Sequence, residues 1–129
     1  MTLLDTHAWI WWVDNPDKLS EAAQEEIRKA VAESSLYVSS MSVWELAMLV
    51  SKDRLQLKLD VGDWLSHTEA LPYVTFVPVN NRIALNAMTL ALHPDPADRI
   101  IVATALYLGA TLVTKDDKLR TFEKVTTVW

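Results

Sequence analysis

The chain has 129 residues, 50% hydrophobic and 22% charged, the make-up of one globular domain large enough to bury a real core. It has no cysteine and only two glycines, which excludes disulfides, zinc–thiolate sites, thiol catalysis and a glycine-rich phosphate loop. Its 17 acidic and 12 basic side chains leave a net charge of −5, unsuited to passive binding of a phosphate backbone, so any nucleic-acid chemistry would need an aid such as a bound divalent cation. No apolar run approaches the ~20 residues of a membrane span, and the opening stretch 1–5 lacks a signal peptide's basic start; a cytoplasmic protein without membrane contact is the expectation. Without repeats, low-complexity tracts or linker-like shifts in composition, residues 1–129 read as one domain.

In chain order, 2–5 reads as a short buried strand ending in a carboxylate. The aromatic stretch 7–13 reads as a helix stopped at Asn15-Pro16. Ser20 suits an N-cap, with Ala23, Ile27, Ala30 and Val31 on one helical face. A second strand is expected at 36–39, followed by a helix opened by Ser42 and striped by Val43, Leu46, Ala47 and Val50. Asp60 caps a helix carrying Val61, Trp64, Leu65 and Leu71. A strand at 74–77 follows, closed by Pro78, then a helix over 81–92. Asp95-Pro96 is a strong helix start, with aspartate at the N-cap and proline at the first helical position. That helix ends at Gly109, which suits the C′ position. A strand at 111–114, a helical turn at 118–122 and a last strand at 125–129 complete the chain. Strands alternating with helices predict an α/β fold, a parallel sheet covered on both faces.

In such a sheet, ligand sites lie outside the carboxyl ends of the strands. The acids predicted on that edge are Asp5, Glu45, Asp95, Asp98, Asp116 and Asp117. Each also suits a structural role. Ser42-x-x-Glu45 is a capping box, Asp95 an N-cap, Asp98 favoured by the helix dipole, and Asp116-Asp117 a turn. Together they differ from capping residues met singly. Carboxylates crowded on one edge repel at several kcal/mol per close pair unless protons or cations compensate, and an oxygen donor set points to Mg²⁺ or Mn²⁺. His7 can reach this edge but also suits packing; His67 reads as a surface residue, and His93 sits in a loop before Pro94. No H-x-x-x-H pair exists, which excludes a zinc protease of that type. Trp9, Trp11 and Trp12 point in different directions from one short helix, so one is expected to be exposed as a partner surface.

The strings 3–8 (LLDTHA), 38–45 (VSSMSVWE), 93–99 (HPDPADR) and 112–116 (LVTKD), with the closing Val128-Trp129, resemble the PIN-domain ribonucleases, and more narrowly the VapC-like toxins of type II toxin–antitoxin pairs. The resemblance spans the chain in the family's motif order. It implies a three-layer α/β/α fold and metal-dependent cleavage of RNA with Mg²⁺ or Mn²⁺. The acidic quartet falls on Asp5, Glu45, Asp98 and Asp116, with Asp5 and Asp98 as chief metal ligands. Glu45 and Asp116 would hold a second ion or a metal-bound water. The hydroxyl at the end of the fourth strand falls on Thr114, which would position water or phosphate. Arg99, Lys115 and Lys118 are candidates for RNA phosphates, and Thr6 and Asp95 stand as alternates at the site. A small antitoxin and a second copy of the chain are the expected protein partners. The chain departs from the family pattern at Ala97, where an aromatic is common, and at 51–55, where a Lys/Gly-rich turn is usual.

Three other functions can be set against the pattern. A catalytically silent acidic module could dock a basic peptide, and metal-dependent RNA cleavage separates it from a nuclease. A magnesium phosphatase with an aspartyl nucleophile would want a second aspartate two residues after the first, where His7 stands. A receiver-type domain would want adjacent acids at the first strand's end, where Asp5 is alone.

Overall fold

The computed structural model describes residues 1–92 and 94–129, so the loop histidine at 93 lies outside the described residues. Five short strands form one sheet: β1 (Thr2–Leu4), β2 (Leu36–Ser39), β3 (Val74–Val77), β4 (Thr111–Val113) and β5 (Thr127–Val128). Their order is β3-β2-β1-β4-β5 and every pairing is parallel. Leu4 is in register with Val38 on one side and Val113 on the other, so the central strands end level with one another.

Alternation along the strands divides the core in two, because successive side chains leave a strand on opposite faces. Leu4, Leu36, Val38 and Val113 point to one face and pack with α1 (Thr6–Asp14), α2 (Glu21–Ala32) and α4 (Val61–Glu69) through Trp9, Ile27 and Trp64. Leu46 of α3 (Ser40–Ser51) joins the same cluster. Leu3 and Leu112 point to the other face, against α5 (Asn81–Ala87), α6 (Pro96–Leu108) and α7 (Asp117–Arg120) through Ile83, Ile101 and Leu119. This is the expected α/β/α sandwich. Both faces of β1 are buried, which is why Leu3 and Leu4 are apolar in succession rather than alternating with polar residues.

The helix ends follow local chemistry. Asp5, Ser20, Asp60 and Asp95 cap α1, α2, α4 and α6 by accepting backbone N–H groups. Gly109 ends α6 at φ 65°, a left-handed conformation costly for any residue with a Cβ.

Four sequence expectations change. Ser42 does not open α3: Ser39 caps it, the helix begins at Ser40, and Ser42 is buried inside the first turn, so no Ser42–Glu45 capping box forms. The helix expected over 81–92 stops at Ala87. The Arg99 guanidinium donates to the carbonyls of Ala87, Leu90 and Leu92 at 3.0, 3.0 and 2.6 Å, giving the chain partners outside a helix. Leu71 lies beyond the end of α4, where Pro72 disfavours helical backbone in the residue before it. Within the tryptophan helix, Trp9 is buried and Trp11 and Trp12 are half-buried against the core. The exposed tryptophan is Trp44 on α3, 57% accessible.

Candidate metal centre

In a parallel sheet each strand's carboxyl end and the following helix's N-terminus share an edge, and the strand order reverses at β1, where such sheets open a crevice. Asp5 follows β1, Glu45 lies in the second turn of α3, Asp98 in the first turn of α6, and Asp116 between β4 and α7. All four line one cavity of about 450 Å³, whose wall also holds Asp95, Thr6, His7, Trp11 and Lys115. Five carboxylates thus face one lysine and one histidine. Asp117, left open with Asp116 by the sequence, is not on this wall.

Asp5 is buried at the N-terminus of α1. Its Oδ1 accepts the Ala8 amide at 2.8 Å, and the Thr114 hydroxyl also donates to its carboxylate. Burial pushes its carboxyl above the usual aspartate range, and Thr114, the Ala8 amide and His7 partly oppose that shift. The Thr114 hydroxyl also accepts the Asp116 amide at 3.1 Å, so one hydroxyl links two of the acids. Asp116 in turn caps α7 through the Lys118 amide at 2.8 Å. Asp98 is half-buried and is pushed up to about 7, first by burial and then by the charges of Asp95, Asp116, Glu45 and Asp5. Asp95 is exposed, and its Oδ1 accepts the amides of Ala97 and Asp98 at 2.9 and 3.2 Å.

A second link joins the elements that carry Asp5 and Glu45. The Thr6 hydroxyl donates to Ser42 Oγ at 2.9 Å, and both groups are buried. Ser42 is one turn from Glu45 on the same side of α3, a spacing the sequence reading had assigned to capping.

The four candidates for substrate contact separate. Lys115 reaches the cavity. Thr114 is fully buried with its hydroxyl engaged, so it supports the carboxylates rather than meeting substrate. The Arg99 guanidinium is committed to three backbone carbonyls, which removes it from phosphate binding in the acidic cavity. Lys118 lines a neighbouring cavity of about 580 Å³ beside Arg99 and Phe122. Trp11, which the sequence grouped with Trp9 and Trp12 and did not tie to this edge, is also on the wall.

Among the described residues, no three acids or histidines stand grouped so that they could hold a metal ion as they are. The donors instead surround an open cavity and interact through space, as Asp98 shows. An all-oxygen set of this kind suits Mg²⁺ or Mn²⁺, which bind through one or two carboxylates and keep several waters.

A parallel sheet with acids gathered over the ends of β1 and β4 is the arrangement of a PIN domain. The PIN-domain family model matches residues 2–125, and the chain belongs to that family. It is 39% identical to Ribonuclease VapC22 of Mycobacterium tuberculosis, covering 98% of this chain and 97% of that protein. Among solved structures, VapBC2 from Rickettsia felis bound to a promoter DNA fragment superposes with a TM-score of 0.72 at 17% identity, covering 98% of this chain and 96% of the other. DNA-bound VapBC from Salmonella typhimurium gives a TM-score of 0.70 at 17% identity, covering 98% and 95%. At that identity the structures share the fold.

Proposed function

We propose that this chain is a metal-dependent ribonuclease, the toxin of a type II toxin–antitoxin pair. The observation that carries the reading is the convergence of Asp5, Glu45, Asp98 and Asp116 on one cavity, in a chain 39% identical to a ribonuclease over nearly its whole length. Asp5 and Asp98 would be the chief ligands of Mg²⁺ or Mn²⁺, with Glu45 and Asp116 completing the site. When bound, the ion supplies positive charge for the phosphate oxygens and lowers the pKa of water. Without a cation, the carboxylates repel the phosphate backbone. Thr114 holds Asp5 and the Asp116 backbone in place, and Lys115 provides the cation on the wall.

The partner would be a small antitoxin, as the VapBC neighbours suggest. A second copy of the chain would cover Trp44, Leu85, Met88, Leu106 and Tyr107, which lie exposed on α3, α6 and α5 with its C-terminal end. Light scattering at micromolar concentration checks this, since a monomer throughout contradicts the dimer.

The deciding experiment is cleavage of RNA by extensively chelated protein before and after adding Mg²⁺ or Mn²⁺, with Asp5→Asn as the control for contaminating nuclease. Activity should appear only with metal and only in the unsubstituted chain. Full activity without metal, absent from the control, refutes the mechanism.

A further inference from the structure

We propose that Trp11 and Lys115 form a nucleobase subsite at the rim of the acidic cavity. A base flanking the scissile phosphate stacks on the Trp11 indole, while the Lys115 ammonium leaves that ring for the phosphate. The proposal rests on the ribonuclease reading and adds how an acidic protein grips its substrate.

The wall of the cavity carries five carboxylates and one lysine, so charge alone cannot hold an RNA strand there. Stacking can, because every base has a π-face and an aromatic ring adds no charge to the site. Trp11 is placed for that role. It is half-buried and lines the same cavity as Asp5 and Asp98, whereas Trp9, two residues earlier, is buried against Trp64 and Phe76. Trp12 lies on different cavities, beside Tyr73. The Trp11 ring is braced by His7 at 5.6 Å and Trp129 at 5.7 Å between centroids, both tilted, so its orientation is set before a base arrives. A pre-set platform loses little freedom on binding. Lys115 Nζ stands 5.9 Å from the ring centroid, near the outer limit of a cation–π contact, and its side chain is exposed. Such a contact marks an accessible ring face and exchanges easily for a base.

The test begins with an RNA that the protein cuts at a mapped bond. Each nucleotide flanking that bond is replaced in turn by an abasic ribose. At one of the two positions KM should rise about tenfold or more with kcat less affected. Trp11→Leu should bind intact and abasic RNA alike, with Mn²⁺ affinity unchanged. Trp11→Phe, which keeps a smaller ring, should show a reduced abasic penalty, and it decides the matter if the leucine variant does not fold. Lys115→Met should raise KM for every RNA and reduce the salt dependence of binding by about one counterion. Abasic substitution without effect at both positions, or a full penalty that persists in the Trp11 variants, overturns the subsite. If no RNA is cut beyond what the Asp5→Asn control cuts, the ribonuclease reading itself fails and the subsite with it.

Discussion

Asp98 combines a half-buried carboxyl with four acidic neighbours, and its proton stays on to about pH 7. In the unfolded chain the same group ionises near its usual value of 3.8. Folding therefore takes up a proton between those values, so the metal-free protein loses stability as pH rises from about 4 to about 7 and stays lower above that. Asp98→Asn removes the ionisation. In EDTA its melting temperature should match the parent near pH 4 and exceed it by about 3–8 °C at pH 8, while RNA cleavage is lost. A melting difference independent of pH would show that burial and the neighbouring charges do not raise this carboxyl on folding. Cleavage retained in Asp98→Asn would move the role to Asp95, which lines the same cavity one turn earlier.

At the scale of elements, the site depends on helix N-termini brought together by buried hydroxyls. Neither Thr6 nor Ser42 is needed to cap its own helix, since Asp5 and Ser39 do that. Replacing both partners of a buried hydrogen bond with apolar groups of similar shape is nearly neutral for stability. The double variant Thr6→Val/Ser42→Ala should therefore melt within a few degrees of the parent, yet bind Mn²⁺ about tenfold more weakly because Asp5 and Glu45 lose their fixed separation. Isothermal titration checks this, and unchanged Mn²⁺ binding would make the hydroxyl pair a packing detail. The elements were also the most legible level of the sequence. Asp5, Ser20, Asp60, Asp95-Pro96 and Gly109 mark helix ends by local chemistry and stand where expected. What the sequence could not reveal depends on distant partners. Ser42 looks like a cap until Thr6 takes its hydroxyl, and 88–92 reads as helix until Arg99 reaches those carbonyls from the next element. Trp11 follows the same logic, because its helix neighbours say nothing of the cavity wall it meets. The acids themselves were visible as strand-end and first-turn carboxylates; strand-end position alone left Asp116 beside Asp117, the family resemblance singled out Asp116, and the cavity wall holds Asp116 without Asp117.

For the whole molecule, the proposed metal site would set metal against proton at the same edge. An ion that binds only the assembled site stabilises the fold, by about 2.7 kcal/mol at a hundred times its dissociation constant. Asp98 must release its proton to serve as a ligand, so Mg²⁺ should raise the melting temperature more at pH 8 than at pH 6. Asp5→Asn should abolish much of that gain, and a shift equal at both pH values would place the ion elsewhere.

The strand order has a consequence in time. Central β1 is made well before its neighbour β4, which comes from near residue 113, and the Asp5 amide bonds the Val113 carbonyl. At 5–20 residues per second, Asp116 is added roughly 5–20 s after Asp5. A chain not yet extended to Asp116 lacks one of the four acids, and an N-terminal fragment that ends before Asp116 should leave RNA uncut in a cleavage assay. On the proposed reading, strand order itself delays the nuclease during translation, and an inhibitor would be needed only after β4 and the acid that follows it have joined the sheet.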